Sequence, residues 1–118
     1  MHNLREIKVW RKAIELSTVV YQVVSNFPSE EKYGLSSQIK RSVVSIASNI
    51  AEGAGRNSNK EFIQFLGIAN GSSYELLTQI MIAKNLNLVD SIQTEFLITQ
   101  IEEVQKMIYG FTKKLRKD

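Results

Sequence analysis

The chain has 118 residues, of which 43% are hydrophobic and 23% are charged, and its formal net charge is +3. These values are typical of one globular domain, here residues 1–118, and they exclude a disordered chain. No apolar run reaches the roughly 18 residues that a membrane-spanning helix needs, and the N-terminal MHNLREIKVW lacks the apolar core of a secretory signal. Because the chain has no cysteine, disulfides and thiol chemistry are excluded, and we expect a cytoplasmic protein without a membrane partner.

Apolar residues recur at helical spacing along the whole chain, which contains a single proline and six glycines. This pattern predicts an all-α fold, namely an antiparallel, up-and-down, left-handed four-helix bundle with short loops.

The first predicted helix spans about residues 7–26 and carries two apolar seams. One seam consists of Val9, Ala13, Leu16, Val20, Val23 and Phe27, and the other of Ile7, Trp10, Ile14, Ser17, Tyr21 and Val24. Two interpretations stay open. Either both seams form one wide core face, or one faces the core and the other faces a partner subunit. The helix is expected to end at Phe27, because a residue before proline avoids the α region.

The second predicted helix begins after Gly34 and contains the stretch QIKRSVVSIASNIAEGAGR at residues 38–56. Its apolar seam consists of Leu35, Ile39, Val43, Ile46 and Ile50, and a polar line consists of Gln38, Arg41, Ser45, Ser48 and Glu52. Small residues between the two lines predict a closely packed neighbouring helix, and the glycines at 53 and 55 predict the helix end.

The third predicted helix spans residues 59–85 and starts with the capping-box pair Ser58 and Glu61. Its seam consists of Phe62, Leu66, Ala69, Ser73, Leu76, Ile80 and Ala83. Gly67 and Gly71 lie one turn apart on another face, which we interpret as a place of close helix packing. Asp90 is the predicted N-cap of a fourth helix, whose seam consists of Leu97, Ile101, Val104, Ile108, Phe111 and Leu115.

Motifs for catalysis or metal binding are missing from the sequence. His2 is the only histidine and is expected in a frayed terminus, so one chain offers neither a histidine metal site nor a Ser-His-acid arrangement. The GAG after Glu52 is not a phosphate loop, because no predicted strand precedes it and no lysine follows at the required position. We therefore predict a protein that is not an enzyme, with no catalytic residues, no metal and no cofactor.

Charge placement is the remaining functional signal. In an antiparallel bundle, the start of helix one, the loop between helices two and three, and the end of helix four share one pole. There we predict a basic pole made of Arg5, Lys8, Arg11, Lys12, Arg56, Lys60, Lys113, Lys114, Arg116 and Lys117, against Glu6, Glu52, Glu61 and Asp118. The opposite pole is predicted to hold Glu30, Glu31, Asp90 and Glu95 against Lys32 and Lys84. The basic pole is either a binding surface for phosphate backbones or a solvated, solubilising surface. Tyr109 and Phe111 are the only aromatic residues expected near it on helix four, so sequence-specific recognition of single strands is not predicted.

The stretch 38–56 resembles the signature of the bacterial four-helix-bundle proteins named after the 23S rRNA intervening sequence. Further matching pieces include Trp10, the Phe27-Pro28 pair, Tyr33-Gly34-Leu35, Phe65-Leu66 and Gly71-Ser72, so that the resemblance covers nearly the whole chain. Lys40, Ala47 and Asn70 depart from the pattern, in which an Arg, a Pro and a basic residue are usual. The resemblance implies an up-and-down bundle, often a homopentamer, without established catalytic activity. Related accessory proteins of diversity-generating retroelements bind nucleic acid and a reverse transcriptase.

Two functions of different classes follow from these observations. The first is a homo-oligomeric accessory protein, with a pentamer favoured by the resemblance, that binds RNA or DNA through backbone contacts to structured RNA or a ribonucleoprotein. The second is a scaffold whose basic pole binds an acidic protein partner.

Overall fold

The computed structural model describes residues 2–118 and contains four α-helices within them: α1 (Lys8–Val24), α2 (Leu35–Ala54), α3 (Asn59–Asn85) and α4 (Ser91–Lys117). Short 3-10 turns at Leu4–Glu6 and Ser29–Glu31 precede α1 and α2. No strand occurs in the described part of the chain. The molecule measures 46 × 24 × 20 Å, and its long dimension matches the roughly 40 Å expected of a 27-residue helix. The predicted all-α four-helix bundle is confirmed.

Each helix packs against the next in the chain, and α4 returns to α1. The packed residues of neighbouring helices run in opposite directions. Between α2 and α3, Ser45 meets Ser72 at 2.8 Å between their Oγ atoms, while Gly53 lies against Phe62. Between α1 and α4, Lys12 Nζ lies 2.6 Å from Gln100 Oε1. Residues between 19 and 26, at the end of α1, line a groove together with Gln93 and Phe96, at the start of α4. Neighbouring helices are therefore antiparallel, and the handedness of the bundle stays a prediction.

The predicted seams of α2, α3 and α4 form the core. Ile39, Val43, Ile46 and Ile50 of α2 are fully buried, and among the members of the three seams only Leu35 and Phe111 are half-buried. The buried hydroxyl groups of Ser72, Ser73 and Thr94 have hydrogen-bond partners, as buried polar groups require. Ser73 Oγ donates to the Asn70 carbonyl oxygen at 2.6 Å and accepts from Gln105 Nε2 at 3.1 Å, which links α3 to α4.

The two seams of α1 differ in burial. The first seam is buried from Val9 to Val23. In the second seam Ile7 and Val24 belong to the core, whereas Ile14 and Tyr21 are 40% and 43% exposed. The second seam therefore lies along the rim of the core, and its exposed members are compatible with both interpretations of α1, so that the partner-facing seam stays a prediction. The helix ends at Val24, before the predicted residue 26, because the amide groups of residues 26 and 27 bond to carbonyls three residues back.

Local signals in the sequence set the starts of the last two helices. The Ser58 hydroxyl accepts from the Glu61 amide at 3.2 Å, and the Asp90 carboxylate accepts from the Gln93 amide at 2.7 Å, so both predicted caps are confirmed. Asn87 has φ 62° in the turn between α3 and α4, a conformation that asparagine tolerates better than most residues. Ala47, where the family pattern has proline, allows α2 to run without interruption.

Two glycine environments differ sharply. A Cβ at Gly53 would lie 2.7 Å from Phe62 Cδ1 and 2.8 Å from Phe65 Cβ, so α2 and α3 approach each other closely there, as predicted. A Cβ at Gly67 or Gly71 would meet no described atom within 4 Å. The prediction that Gly67 and Gly71 mark close helix packing is therefore wrong within the protomer.

Candidate nucleic-acid interface

The start of the chain packs onto the ends of α3 and α4. The ring of His2 lies 5.0 Å from the Phe62 ring and 6.3 Å from the Phe111 ring, and its Nε2 is 3.3 Å from Asn59 Oδ1. The expectation that His2 lies in a frayed terminus is therefore wrong. The sequence contains no periodic signal for this contact, because residue 2 precedes the first helix and its partners lie more than fifty residues away.

The end of α4 reaches the same place. Asn59 Nδ2 donates to the Leu115 carbonyl oxygen at 3.5 Å, which joins the start of α3 to the last turn of α4. A cleft of about 610 Å³ separates the N-terminal turn from α4, and its lining includes His2, Glu6, Lys8, Phe111 and Lys114. The three segments that carry the predicted basic pole thus meet at one end of the bundle.

Nine of the ten predicted basic-pole residues are exposed. Lys12 is the exception, since its side chain is only 19% exposed and its Nζ contacts Gln100 Oε1 at 2.6 Å and Glu103 Oε2 at 3.5 Å. These partners belong to the middle of α4. Lys12 therefore links α1 to α4, and it contributes little to the outer surface of the pole.

Most cations of the pole lack a carboxylate partner. Within residues 2–118 the pole holds two ion pairs, Lys12 with Glu103 and Arg56 with Glu52 at 3.4 Å. The second is an exposed pair spaced i, i+4, which neutralises little charge in water. The remaining members have no described carboxylate within 4.0 Å, and these are Arg5, Lys8, Arg11, Lys60, Lys113, Lys114, Arg116 and Lys117.

Aromatic rings support some of these cations. The Arg56 guanidinium carbon lies 4.8 Å from the Phe65 ring centre, and Lys113 Nζ lies 5.3 Å from that of Tyr109. Arg11 instead donates to the Arg5 carbonyl oxygen at 2.9 Å and holds the N-terminal turn against α1. Phe65 was missed in the sequence analysis, which counted the aromatic residues of helix four alone. Its position two turns into helix three was sufficient to place it near the pole.

The first turn of α1 lacks the groups that normally stabilise a helix start. Ile7 stands at the N-cap and offers no side-chain acceptor, and the turn contains no acidic residue. Lys8 and Arg11 occupy it instead, where the helix dipole disfavours positive charge. An anion at this end would improve the local electrostatics.

The opposite end of the bundle also carries positive charge, in a cleft of about 520 Å³ between α1 and α2. From the sequence, only Lys32 and Lys84 are expected as cations at that end, and the cleft is not predicted. Its lining is Tyr21, Lys32, Tyr33, Ser37, Lys40, Arg41, Val44 and Ser45. No described residue of this lining is acidic. We call this site the tyrosine cleft.

Within residues 2–118, no helix combines the length and hydrophobicity needed to cross a membrane. No group of three or more His, Cys, Asp or Glu side chains in the same part of the chain is arranged to hold a metal ion.

Comparison with known proteins agrees with the fold. The chain resembles a protein of unknown function from the S23 ribosomal protein family of Bacteroides thetaiotaomicron VPI-5482, solved by crystallography at 1.70 Å. The two share 25% sequence identity with a TM-score of 0.83, over 89% of this chain and 95% of the other. No curated protein matches the chain.

The family model described as 23S rRNA-intervening sequence protein matches residues 5–110. The match includes the N-terminal turn, all of α1, α2 and α3, and most of α4. The resemblance drawn from residues 38–56 is thereby confirmed, and the chain belongs to the 23S rRNA-intervening sequence protein family.

Proposed function

We propose that the protein is a non-enzymatic, homo-oligomeric accessory protein that binds the phosphate backbone of structured RNA or of duplex DNA through its basic pole. Such binding is driven mainly by the release of counterions from the nucleic acid. It needs a dense set of unneutralised cations and no reading of base edges. The cysteine-free composition suits a reducing compartment, so the proposal includes the cytoplasm as the place of action.

The observation that carries the proposal is the group of eight basic-pole residues without a carboxylate within 4.0 Å in residues 2–118. The helix dipole of α4 accounts for Lys114, Arg116 and Lys117, which lie in its last turn. It does not account for Lys8 and Arg11, since the dipole acts against them. A bound polyanion removes this conflict.

Assembly strengthens the proposal, and we infer that the outer face of α3 binds a second copy of the chain. Between residues 62 and 83 the only charged side chain is Glu75. Ile68, Tyr74 and Ile82 are nevertheless 52%, 58% and 44% exposed. Gly67 and Gly71 leave room for another helix to approach this face closely. In a cyclic oligomer, with the pentamer favoured by the family resemblance, the basic poles lie on one face of the ring.

The salt dependence of binding tests the nucleic-acid proposal. Retention of mixed-sequence RNA and duplex DNA is measured from about 50 mM salt upward, because low salt strengthens electrostatic binding. On duplex DNA, we expect Lys113→Gln with Lys114→Gln to lower the slope of log affinity against log salt by about 0.9 for each phosphate that the variant no longer neutralises. Lys84→Gln with Lys106→Gln removes the same charge elsewhere and serves as the control.

Two outcomes contradict the nucleic-acid proposal. One is that the unmodified protein retains neither nucleic acid at the lowest salt. The other is that both double variants lower the slope equally, because the slope would then depend on the net charge of the protein and not on the basic pole. In either case the scaffold that binds an acidic protein partner replaces it.

Light scattering at micromolar concentration tests the assembly. We expect Ile68→Glu to dissociate the oligomer, because it places a charge in the middle of the charge-poor face. Ile92→Glu is the matched control, since Ile92 is 86% exposed on α4 and lies outside that face. A monomeric unmodified protein contradicts the assembly, and a dimer or tetramer contradicts the pentamer alone.

A further inference from the structure

The tyrosine cleft lies where the last turns of α1, the turn before α2 and the first turns of α2 meet. Tyr21 belongs to α1, Tyr33 to the connecting turn, and Lys40 and Arg41 to α2. Because Tyr21 lies 13 residues after Lys8 on α1, this cleft lies roughly 20 Å along the helix from that member of the basic pole. The two sites can therefore be altered separately.

The cleft pairs cations with aromatic rings. Lys32 Nζ lies 5.4 Å from the centre of the Tyr33 ring, and Lys40 Nζ lies 5.1 Å from that of Tyr21. Arg41 is exposed and donates to Ser37 Oγ at 3.1 Å, which orients its guanidinium. These contacts place two ring faces and three positive charges around one opening.

Nearby carboxylates do not neutralise this charge. Glu30 and Glu31 lie on the turn before α2, yet no described carboxylate lies within 4.0 Å of Lys32, Lys40 or Arg41. The Glu31 side chain lies close to Gly34 instead. Its Oε1 atom would be 3.7 Å from a Cβ added at Gly34.

The two tyrosine rings of the cleft are exposed in the protomer. Tyr33 is 88% exposed and Tyr21 is 43% exposed, so neither fills the core. An exposed aromatic ring beside unneutralised cations is the combination that binds single-stranded nucleic acid. Bases stack on the rings while the cations hold the phosphates. The volume of about 520 Å³ falls within the range of about 300–1,000 Å³ that small ligands occupy.

We propose that the tyrosine cleft binds one nucleotide unit of single-stranded nucleic acid, with its base stacked on Tyr33 or Tyr21 and its phosphate on Lys40 and Arg41. Bases in a duplex are already stacked and cannot insert into the cleft. The cleft is separate from the basic pole, where a single exposed tyrosine, Tyr109, lies beside Lys113, and its proposal does not depend on that of the pole.

The test compares a labelled single strand of about eight nucleotides with a base-free sugar-phosphate strand of equal length and charge, by fluorescence anisotropy. Both are measured on a protein carrying Lys113→Gln and Lys114→Gln, which weakens the basic pole. Because the two strands carry equal charge, the remaining backbone contacts of the pole act on both alike. We expect the base-bearing strand to bind at least about fivefold more tightly, since stacking on one ring has an effect of that size.

Substitutions locate the effect. Tyr33→Ala and Tyr21→Ala together should abolish the preference for the base-bearing strand, whereas changing both residues to Phe should keep it, because the ring face is retained. Phe96→Ala is the matched control, since Phe96 is an aromatic residue 51% exposed on α4 and does not line the cleft. Lys40→Gln with Arg41→Gln should weaken both strands alike.

Competition by adenosine monophosphate distinguishes a free nucleotide from a nucleotide unit within a strand as the ligand of the cleft. If it displaces the strand at micromolar concentration, a free nucleotide occupies the cleft. If it does so only at millimolar concentration, the unit is part of a strand. Equal binding of the base-bearing and base-free strands overturns the proposal, and so does a preference that survives the double alanine variant.

Discussion

The inner and outer sides of α3 differ in the surroundings of the glycines that lie there. On the inner side, Gly53 of α2 leaves only enough space for Phe62 and Phe65, and a single methyl group would clash. On the outer side, Gly67 and Gly71 face open space. The sequence pattern is similar, with small residues among apolar ones. Small residues therefore indicate a place where a helix can be approached, and only the fold shows whether the protomer itself fills that place.

The largest expected effect concerns the inner side. Phe62 is 1% exposed and contacts both Gly53 and the rings of His2 and Phe111. Phe62→Ala should lower the free energy of unfolding by about 3–5 kcal/mol, because it leaves a cavity in the core. Urea denaturation provides the measurement, with Phe96→Ala on exposed α4 surface as the control. A destabilisation no greater than that of the control contradicts the close packing described here.

The next effect concerns the glycine itself. Gly53→Ala should lower the free energy of unfolding by about 1–3 kcal/mol. The new Cβ meets Phe65 Cβ and the Phe62 carbonyl oxygen, and neither atom can move freely. Gly55→Ala is the matched control, since its Cβ would make only ordinary contacts at 3.7 Å. Thermal unfolding of both variants measures the difference, and equal melting temperatures would show that the α2–α3 approach is looser.

A smaller effect is expected at the polar contact between the same helices. Ser72→Ala removes the 2.8 Å hydrogen bond to Ser45 Oγ, and the destabilisation should be about 1 kcal/mol. It stays small because Ser45 Oγ keeps the hydrogen bond from Asn49 Nδ2 at 2.9 Å. Ser48→Ala on the exposed side of α2 is the control, and denaturant titration shows whether the two variants differ.

The outer side should respond with the opposite sign. Gly67→Ala and Gly71→Ala should each stabilise the isolated protomer by about 0.5–1 kcal/mol, since alanine loses less backbone entropy than glycine and meets no neighbour. Gly110 on α4 is equally open, so Gly110→Ala should raise the free energy of unfolding by the same amount. If the outer face binds a second copy, the α3 variants weaken the oligomer and Gly110→Ala does not. Scattering that shows no difference contradicts α3 as the interface.

The sequence predicted the helices well because their signals are local. The Ser58 and Asp90 caps lie within three residues of the amides they bond, and the bounds of α3 at residues 59 and 85 agree with the structure. The grouping of the basic pole followed from chain direction alone, because short loops leave few ways to connect four helices.

Contacts between distant segments were not predictable in the same way. His2 meets Phe62, and Tyr21 and Lys40 come together from different helices, without any periodic pattern that pairs them. Lys12 looked like the other cations of its helix, yet Glu103 and Gln100 bind it. Side-chain burial decides these cases, and it depends on how neighbouring helices are rotated about their axes.

The order in which the helices pack has a consequence for how the chain folds. The most extensive helix pair, α2 with α3, is joined by a loop of only four residues, whereas α1 and α4 meet across nearly the whole chain and pack least. Contacts close in sequence cost little loop entropy, so a helical hairpin of α2 and α3 should form first, and the whole domain should fold within about microseconds to milliseconds. Closure of α1 onto α4 comes last. Amide hydrogen exchange should therefore be fastest along that pair, and transient opening there would expose the stems of Lys12 and Gln100 while the α2–α3 hairpin stays protected.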